Sequence, residues 1–189
     1  HPAVHAGVIA LAEHDTTWDT IPHDYPKPLH RVAGGAERSD SVLAALEFLL
    51  AQGGNDDWVI VHDAVRPCIT RDDLDRLLAV GLSRPDGALL AVPVRDTLKR
   101  QDAGGRVRDT ASRDGLWHAL TPQLFPLVPL YQALNTALER GTPVTDESQA
   151  METAGYQPLL VEGRPTNIKV TRRNDLELAA AVLKSFGSD

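Results

Sequence analysis

Apolar residues fall in short continuous runs along this chain, and these runs predict buried β-strands. The clearest runs cover residues 8–11, 58–61 and 88–92, and weaker ones cover residues 159–161 and 168–170. A continuous apolar run is typical of a strand that is buried on both faces, whereas alternation indicates one exposed face. We therefore predict that these strands lie in the interior of the domain.

Helical patterns with capping residues lie between the predicted strands. Residues 40–52 place apolar side chains on one helical face and are followed by two glycines. Thr70 and Asp73 have the spacing of a capping box at the start of another helix. Further helices, each followed by a glycine, are predicted over residues 129–140, 146–154 and 174–186. This alternation predicts an α/β domain around a mostly parallel sheet.

Two segments interrupt the alternation. Residues 13–31 contain three prolines and mixed charge, so we expect an excursion over the surface. Residues 95–114 are polar around Gly104 and Gly105, which predicts a hairpin that forms an arm. The arm carries six Lys and Arg against four Asp, a balance of +2. Because an isolated hairpin is marginally stable in water, we expect the arm to lean on a second subunit.

Length and composition narrow the class of protein. A chain of 189 residues, 42% apolar and 24% charged, fits one soluble domain over residues 1–189. A net charge of −7 argues against non-specific binding of nucleic acid or of an anionic membrane. No apolar run reaches membrane-spanning length, and residues 1–12 do not resemble a signal peptide, so we expect a cytoplasmic protein. The single cysteine, Cys68, excludes an internal disulfide, and we interpret it as a packed thiol.

Charged and hydroxyl side chains follow two of the predicted strands. Asp63 and Arg66 come after residues 58–61, and Thr97 and Lys99 come after residues 88–92. Ligands of open α/β sheets bind beyond the carboxyl ends of the strands, so these groups are candidates for phosphate binding. The alternative for Asp63 and Arg66 is an ion pair that only pins a loop, and the alternative for the second pair is a solvated face.

Three further positions are candidates for binding. Gly34 and Gly35 precede a helix, where backbone N–H groups can approach a ligand, although a plain turn with an N-cap explains them equally well. Thr145 stands just before another predicted helix. Lys169 stands in the apolar run 168–170, where an ammonium must find a partner or reach water. Together the candidates suit phosphoryl or nucleotidyl transfer, in which positioning and charge supply most of the catalysis.

Several segments, in order, resemble the bacterial 2-C-methyl-D-erythritol 4-phosphate cytidylyltransferases. They include Gly-Gly-Ala-Glu-Arg-Ser-Asp-Ser at 34–41, His-Asp-Ala-Val-Arg-Pro at 62–67, Pro-Val-Arg-Asp-Thr-Leu-Lys at 93–99 and Asn-Ile-Lys-Val-Thr at 167–171. The resemblance implies a Rossmann-like nucleotidyltransferase domain with a protruding β-arm that clasps its partner in a homodimer. It also implies transfer of CMP from CTP to methylerythritol phosphate, with Mg²⁺ held mainly through the CTP phosphates and no protein metal ligand assigned.

The resemblance assigns the nucleotide contacts and the catalytic groups. Gly35 and Ser41 are expected to line the cytosine pocket. Asp63 and Ala64 are expected to border the nucleotide and the diol of the substrate. Lys169 is expected to neutralise charge near the α-phosphorus, so Lys169 and Asp63 are the expected catalytic residues.

The resemblance also assigns contacts to the alcohol phosphate. Thr97 and Arg113 are expected to reach its phosphate from the arm of the neighbouring subunit. Thr145 is expected to help bind the methylerythritol, and Arg66 and Lys169 are expected to lie close by.

Part of the family pattern has no counterpart here. Family members begin with a strand and a glycine-rich loop, followed by a Lys-Gln pair, and these wrap the triphosphate. His1 and Pro2 align after that segment, so we expect this chain by itself to be impaired in turnover. Two alternatives remain at this point: a cytidylyltransferase that acts on ribitol 5-phosphate, and a non-catalytic dimerisation or binding remnant of the family.

Overall fold

The computed structural model describes residues 1–22 and 25–186 of the chain. Within them lie eight strands and five α-helices, with a short 3₁₀ turn at Trp18–Thr20. The strands are β1 Gly7–Leu11, β2 Leu29–Ala33, β3 Trp58–Val61, β4 Ala88–Pro93, β5 Leu98–Gln101, β6 Val107–Ala111, β7 Trp117–Pro126 and β8 Leu159–Glu162. The helices are α1 Arg38–Ala51, α2 Arg71–Gly81, α3 Leu127–Glu139, α4 Glu147–Thr153 and α5 Arg173–Phe186.

The largest sheet has the strand order β3-β7-β4-β8. β4 pairs in parallel with β8, and β7 runs antiparallel to both β3 and β4. Three of its four strands therefore point the same way, which confirms the prediction of a mostly parallel sheet. β1 and β2 form a separate parallel pair, and β5 and β6 form an antiparallel hairpin.

Helices cover both faces of the four-stranded sheet. On one face Leu46 of α1 and Leu134 of α3 pack around Phe125 of β7. On the other face Leu77 of α2 packs in the cluster that contains Leu124, the neighbour of Phe125 along β7. Successive side chains of a strand point to opposite faces, so β7 contributes to both cores. No helix in the described part of the chain is long and apolar enough to cross a membrane.

Most elements predicted from the sequence are present. The predicted strands at residues 8–11, 58–61, 88–92 and 159–161 lie within β1, β3, β4 and β8. All five predicted helices form, with ends shifted by one or two residues. The capping box of α2 is confirmed, since Thr70 Oγ1 accepts from Asp73 N at 3.2 Å and Thr70 N donates to Asp73 Oδ2 at 3.3 Å. The glycine predicted to end α5, Gly187, lies outside the described residues.

The prediction of a strand at residues 168–170 is wrong. This segment is a loop whose recorded backbone bond to the rest of the domain is Val170 N to Val65 O at 2.8 Å. A single bond does not make a ladder, so Lys169 stands on a loop rather than within the sheet. Ile168 and Val170 are half-buried in this loop, and Asn167 directly before them is buried.

Two strands, β2 and β7, were not predicted from the sequence. β2 begins inside the segment 13–31 that was expected to be a surface excursion. β7 contains buried Thr121 and Gln123 and a proline at position 122, all unusual in a central strand. Its pairing with β4 shifts register opposite Leu90, so the proline lies where the ladder is already interrupted.

The predicted arm is confirmed as a hairpin. β5 and β6 pair antiparallel, with Leu98 opposite Ala111. Asp102 Oδ1 closes the turn by accepting from the backbone N–H groups of Gly104 and Arg106, both at 2.9 Å. Gly105 has a φ of +77°, which glycine adopts without steric cost.

Candidate active site

Asp63 lies just beyond the carboxyl end of β3, at the edge where α/β sheets bind ligands. Its backbone N–H donates to Thr121 Oγ1 of the neighbouring strand β7 at 3.0 Å. The Thr121 carbonyl accepts from Asn167 Nδ2 at 2.8 Å, which ties the Lys169 loop to the same point. Three parts of the chain thereby meet at one edge of the sheet.

Two cations hydrogen-bond the carboxylate of Asp63, and a third, Arg66, lies at the edge of ion-pair distance. Arg38 Nε donates to Asp63 Oδ1 at 2.8 Å, and Lys169 Nζ donates to Asp63 Oδ2 at 2.9 Å. Burial by itself would raise the pKa of this carboxyl, whose side chain is 9% exposed. The hydrogen bonds from Lys169 and Arg38 outweigh burial and hold the pKa of Asp63 below its ordinary value. Asp63 is therefore an anion near neutral pH.

Arg38 also forms a bidentate ion pair with Glu147. Arg38 Nη1 donates to Glu147 Oε1 at 2.6 Å, and Nη2 donates to Oε2 at 2.9 Å. The Glu147 side chain is only 1% exposed. Burial would lower the pKa of Arg38, but the bonds to Glu147 and Asp63 raise it above its ordinary value. The site is thus a chain of alternating charges, Glu147, Arg38, Asp63 and Lys169.

The sequence interpretation did not assign Arg38 or Glu147. Arg38 stands inside the segment 34–41 that carried the family resemblance, and Glu147 follows Thr145 by two positions. Each is the first residue of its helix, α1 and α4. A cation at a helix N-terminus opposes the helix dipole, and that local conflict is the signal that could have marked Arg38.

Arg66 is turned inward rather than towards solvent. Its Nη1 donates to the carbonyl of Asn167 at 2.8 Å, and its Nε lies 3.9 Å from Asp63 Oδ2. Only 9% of the residue is exposed, and burial lowers the pKa of its guanidinium. This geometry supports the loop-pinning alternative. A direct contact of Arg66 with the alcohol phosphate stays a prediction.

Backbone N–H groups of the turn before α1 are hydrogen-bonded to side chains at the start of the helix. Gly35 N donates to Ser41 Oγ at 3.1 Å, and Glu37 N donates to Asp40 Oδ2 at 3.0 Å. A Cβ added to Gly35 would stand 2.2 Å from Asp40 Cβ, so only glycine fits there. The turn-and-cap alternative accounts for this local geometry. A cytosine contact by Gly35 and Ser41 stays a prediction.

The remaining predicted site residues lie at the surface. Ala64 is exposed next to Asp63, and Thr145 is exposed before α4, where its Oγ1 donates to Gln149 Oε1 at 3.0 Å. Thr97 and Arg113 are exposed at the base of the arm. In residues 1–22 and 25–186, no hydrogen bond or ion pair joins either of them to Asp63. Their assignment to a neighbouring subunit stays a prediction.

Cys68 is a packed thiol, as its sequence context indicated. It is fully buried, its Sγ donates to the carbonyl of Ala179 in α5 at 3.7 Å, and burial raises its pKa. A thiol in this state is a poor nucleophile.

Solved structures resemble this fold closely. A 4-diphosphocytidyl-2C-methyl-D-erythritol synthase superposes with a TM-score of 0.87 at 36% identity, covering 97% of this chain and 84% of that one. The 2-C-methyl-D-erythritol 4-phosphate cytidylyltransferase of Francisella tularensis superposes with a TM-score of 0.83 at 33% identity, covering 96% and 82%. The fold and the charged cluster at its sheet edge define a nucleotidyltransferase domain.

Sequence comparison identifies the family within that class. The family model described as IspD, 2-C-methyl-D-erythritol 4-phosphate cytidylyltransferase, matches residues 1–185. The enzyme of that name from Halorhodospira halophila is 55% identical over 186 residues, which cover 97% of this chain and 76% of the relative. That from Shewanella amazonensis is 50% identical, covering 98% and 77%. The chain belongs to the 2-C-methyl-D-erythritol 4-phosphate cytidylyltransferase family.

Proposed function

We propose that the protein transfers CMP from CTP to 2-C-methyl-D-erythritol 4-phosphate, giving the CDP-alcohol and pyrophosphate for isoprenoid precursor synthesis. The observation that supports this most directly is the half-exposed ammonium of Lys169, held at the sheet edge beside an ionised Asp63. The family match over residues 1–185 supplies the substrates.

The chemistry requires charge compensation more than a protein nucleophile. A phosphate oxygen of the alcohol phosphate attacks the α-phosphorus of CTP, a new P–O bond forms, and the bond to the β-phosphate oxygen breaks. Negative charge accumulates on the oxygens around the α-phosphorus and on the departing pyrophosphate, so positioned cations stabilise the transition state. Lys169 is the proposed cation at this point, and Asp63 is the proposed acceptor for a substrate hydroxyl.

Gly35, Ser41 and Ala64 are the proposed contacts to the nucleotide. Gly35 and Ser41 stand together at the start of α1, bonded to each other. Ala64 follows Asp63 and presents a small side chain at the exposed end of β3. Small residues at these positions let the base and the ribose approach the backbone closely.

The arm is the proposed source of further substrate contacts and of the dimer. Thr97 and Arg113 flank the hairpin, and Arg66 and Thr145 complete the proposed set for the alcohol phosphate. In the single chain Val107 of the arm is 65% exposed, and Leu116 near its base is 45% exposed. Apolar groups left this exposed on a hairpin favour burial against a second copy of the chain, so we include a homodimer in the proposal.

Mg²⁺ is proposed as the cofactor, carried mainly on the CTP phosphates. Mg²⁺ commonly binds through substrate phosphates together with few protein oxygens, and keeps several waters. The donor set fits this role, because both oxygens of Asp63 are already engaged by Arg38 and Lys169. When bound, the ion would neutralise charge on the triphosphate. Lys169 would add a positive charge from the protein beside the oxygens of the α-phosphorus.

The alternatives rank below this proposal. The matched family and relatives are described by methylerythritol phosphate, which disfavours ribitol 5-phosphate as the substrate. An ionised carboxylate with its cations at the sheet edge disfavours a non-catalytic remnant. A cytoplasmic location and the absence of nucleic-acid and membrane partners complete the proposal. The net charge of −7 argues against non-specific binding of nucleic acid or of an anionic membrane.

The test is pyrophosphate release from CTP with each alcohol phosphate in parallel. We expect methylerythritol phosphate to be used at least tenfold faster than ribitol 5-phosphate, with release dependent on added Mg²⁺. Equal or reversed rates would refute the proposed substrate, and no release with either would favour the binding remnant.

A further inference from the structure

The guanidinium of Arg38 is held at three nitrogens by two carboxylates from distant parts of the chain. Glu147 is 109 positions away in sequence and Asp63 is 25 positions away. The Glu147 bonds use Nη1 and Nη2, and the Asp63 bond uses Nε. Because a guanidinium is planar, these three bonds fix its orientation as well as its position.

Neither helix explains this arrangement by itself. Arg38 is the first residue of α1, where the helix dipole disfavours a cation. Glu147 is the first residue of α4, where the dipole favours an anion, but its side chain is 1% exposed, and a buried carboxylate is costly without a cationic partner. The pairing of Glu147 with Arg38 satisfies both groups, and it leaves Nε directed at Asp63.

The two cations on Asp63 are similarly exposed, 36% for Arg38 and 43% for Lys169, but Arg38 is held by three hydrogen bonds and Lys169 by one. Oδ1 is bonded to Arg38, which cannot move without leaving the buried Glu147 unpaired. Oδ2 is bonded to Lys169, whose side chain is 43% exposed and has no other recorded partner among the described residues. Because this ammonium has a single bond to give up and a phosphate carries more negative charge than one carboxylate, a phosphate arriving from solvent can compete for it.

We propose that Arg38, held by Glu147, is a positioning residue for the Asp63 carboxylate, and that Lys169 exchanges Asp63 for the phosphate of the bound alcohol phosphate. The exchange frees Asp63 Oδ2 to accept a hydroxyl of the same substrate, while Arg38 keeps the carboxylate aligned. Recognition of the phosphate and of the hydroxyl is coupled in this way. The identity of the substrate rests on the proposed function.

The positioning role is tested by steady-state kinetics of Arg38→Gln, Arg38→Lys and Glu147→Gln. We expect Arg38→Gln to raise the KM for methylerythritol phosphate at least tenfold and to change the KM for CTP less than threefold. Arg38→Lys and Glu147→Gln should give intermediate increases, because a lysine cannot span both carboxylates and a glutamine keeps shape without charge. Arg31→Gln, which removes an arginine from an exposed pair with Asp19, should match the wild type.

A purely structural role predicts a different pattern. Loss of folded protein lowers kcat and leaves both KM values unchanged, and that result would overturn the positioning role. Thermal unfolding of each variant sets an assay temperature at which it is folded. Arg38→Lys keeps the positive charge beside Glu147, so it provides a folded variant if Arg38→Gln does not fold.

The exchange is tested separately by NMR on the wild-type protein titrated with methylerythritol phosphate without CTP. We expect the Lys169 Nζ signal to shift on binding, while the Arg38 Nε signal keeps its position. A titration in which Lys169 does not respond, or in which Arg38 responds as strongly, would overturn the exchange. Pyrophosphate release by the wild type decides independently on the proposed function, so the two failures are distinguishable.

Discussion

Lys169→Ala separates the contribution of this side chain to catalysis from its contribution to stability. The variant removes one hydrogen bond of 2.9 Å to Asp63, from a side chain that is 43% exposed. Solvent screening limits such a pair to about 1 kcal/mol or less of folding free energy. Asp63 also keeps its bond from Arg38, so no buried charge is left without a partner. We expect the melting temperature to change by a few degrees at most.

The effect of the same variant on activity should be larger. A charge-assisted hydrogen bond to a phosphate is worth about 1.5–3 kcal/mol, which corresponds to roughly 10- to 150-fold in kcat/KM. The assay is pyrophosphate release with methylerythritol phosphate varied at saturating CTP, beside thermal unfolding of the same samples. The control variant is Lys184→Ala on α5, which removes the same side-chain groups at a position outside the candidate site. If Lys169→Ala kept wild-type kcat/KM, or lost activity only in proportion to unfolding, the assigned role would be wrong.

Three further variants test other parts of the assignment. On the role that the family resemblance gives Arg113, Arg113→Ala should lower kcat/KM for methylerythritol phosphate at least tenfold, and a wild-type value would show that the arm does not contribute to the site. Gly35→Ala should lower the melting temperature, because the new Cβ would stand 2.2 Å from Asp40 Cβ, and an unchanged melting curve would contradict this. The ionised Asp63 stabilises the fold above its unfolded pKa near 3.8, and this contribution is lost as pH falls through its lower folded value. The stability gap between wild type and Asp63→Asn, measured by urea unfolding, should therefore be largest near neutral pH and shrink below pH 3.8; a constant gap would refute the cause.

Asp63 and Lys169 show how much of the site could be predicted from the sequence. Asp63 could be placed at the sheet edge because an apolar run ended just before it, and strand ends are local features. Lys169 was identified as a group in need of a partner, but the element around it was wrong. Its loop forms because Asn167 and Val170 bond to Thr121 and Val65, which are distant in the chain.

Local pattern by itself determined the helices, the capping box at Thr70 and the hairpin around Gly104 and Gly105. These features depend on residues within a few positions of one another, so their energetics can be read from spacing. The family resemblance added the reaction and the proposed roles, because its segments lie in order along the chain.

Only the tertiary structure decided the central position of β7 and the link between Arg38 and Glu147. The sequence of β7 does not predict a buried strand, because Thr121 and Gln123 are polar. Their hydrogen bonds to Asp63, Asn167, Asp146 and Ser148 are made across elements, and burial becomes acceptable only once those partners are in place. A pair 109 positions apart likewise has no local signature, since it exists only after the starts of α1 and α4 have met at the sheet edge.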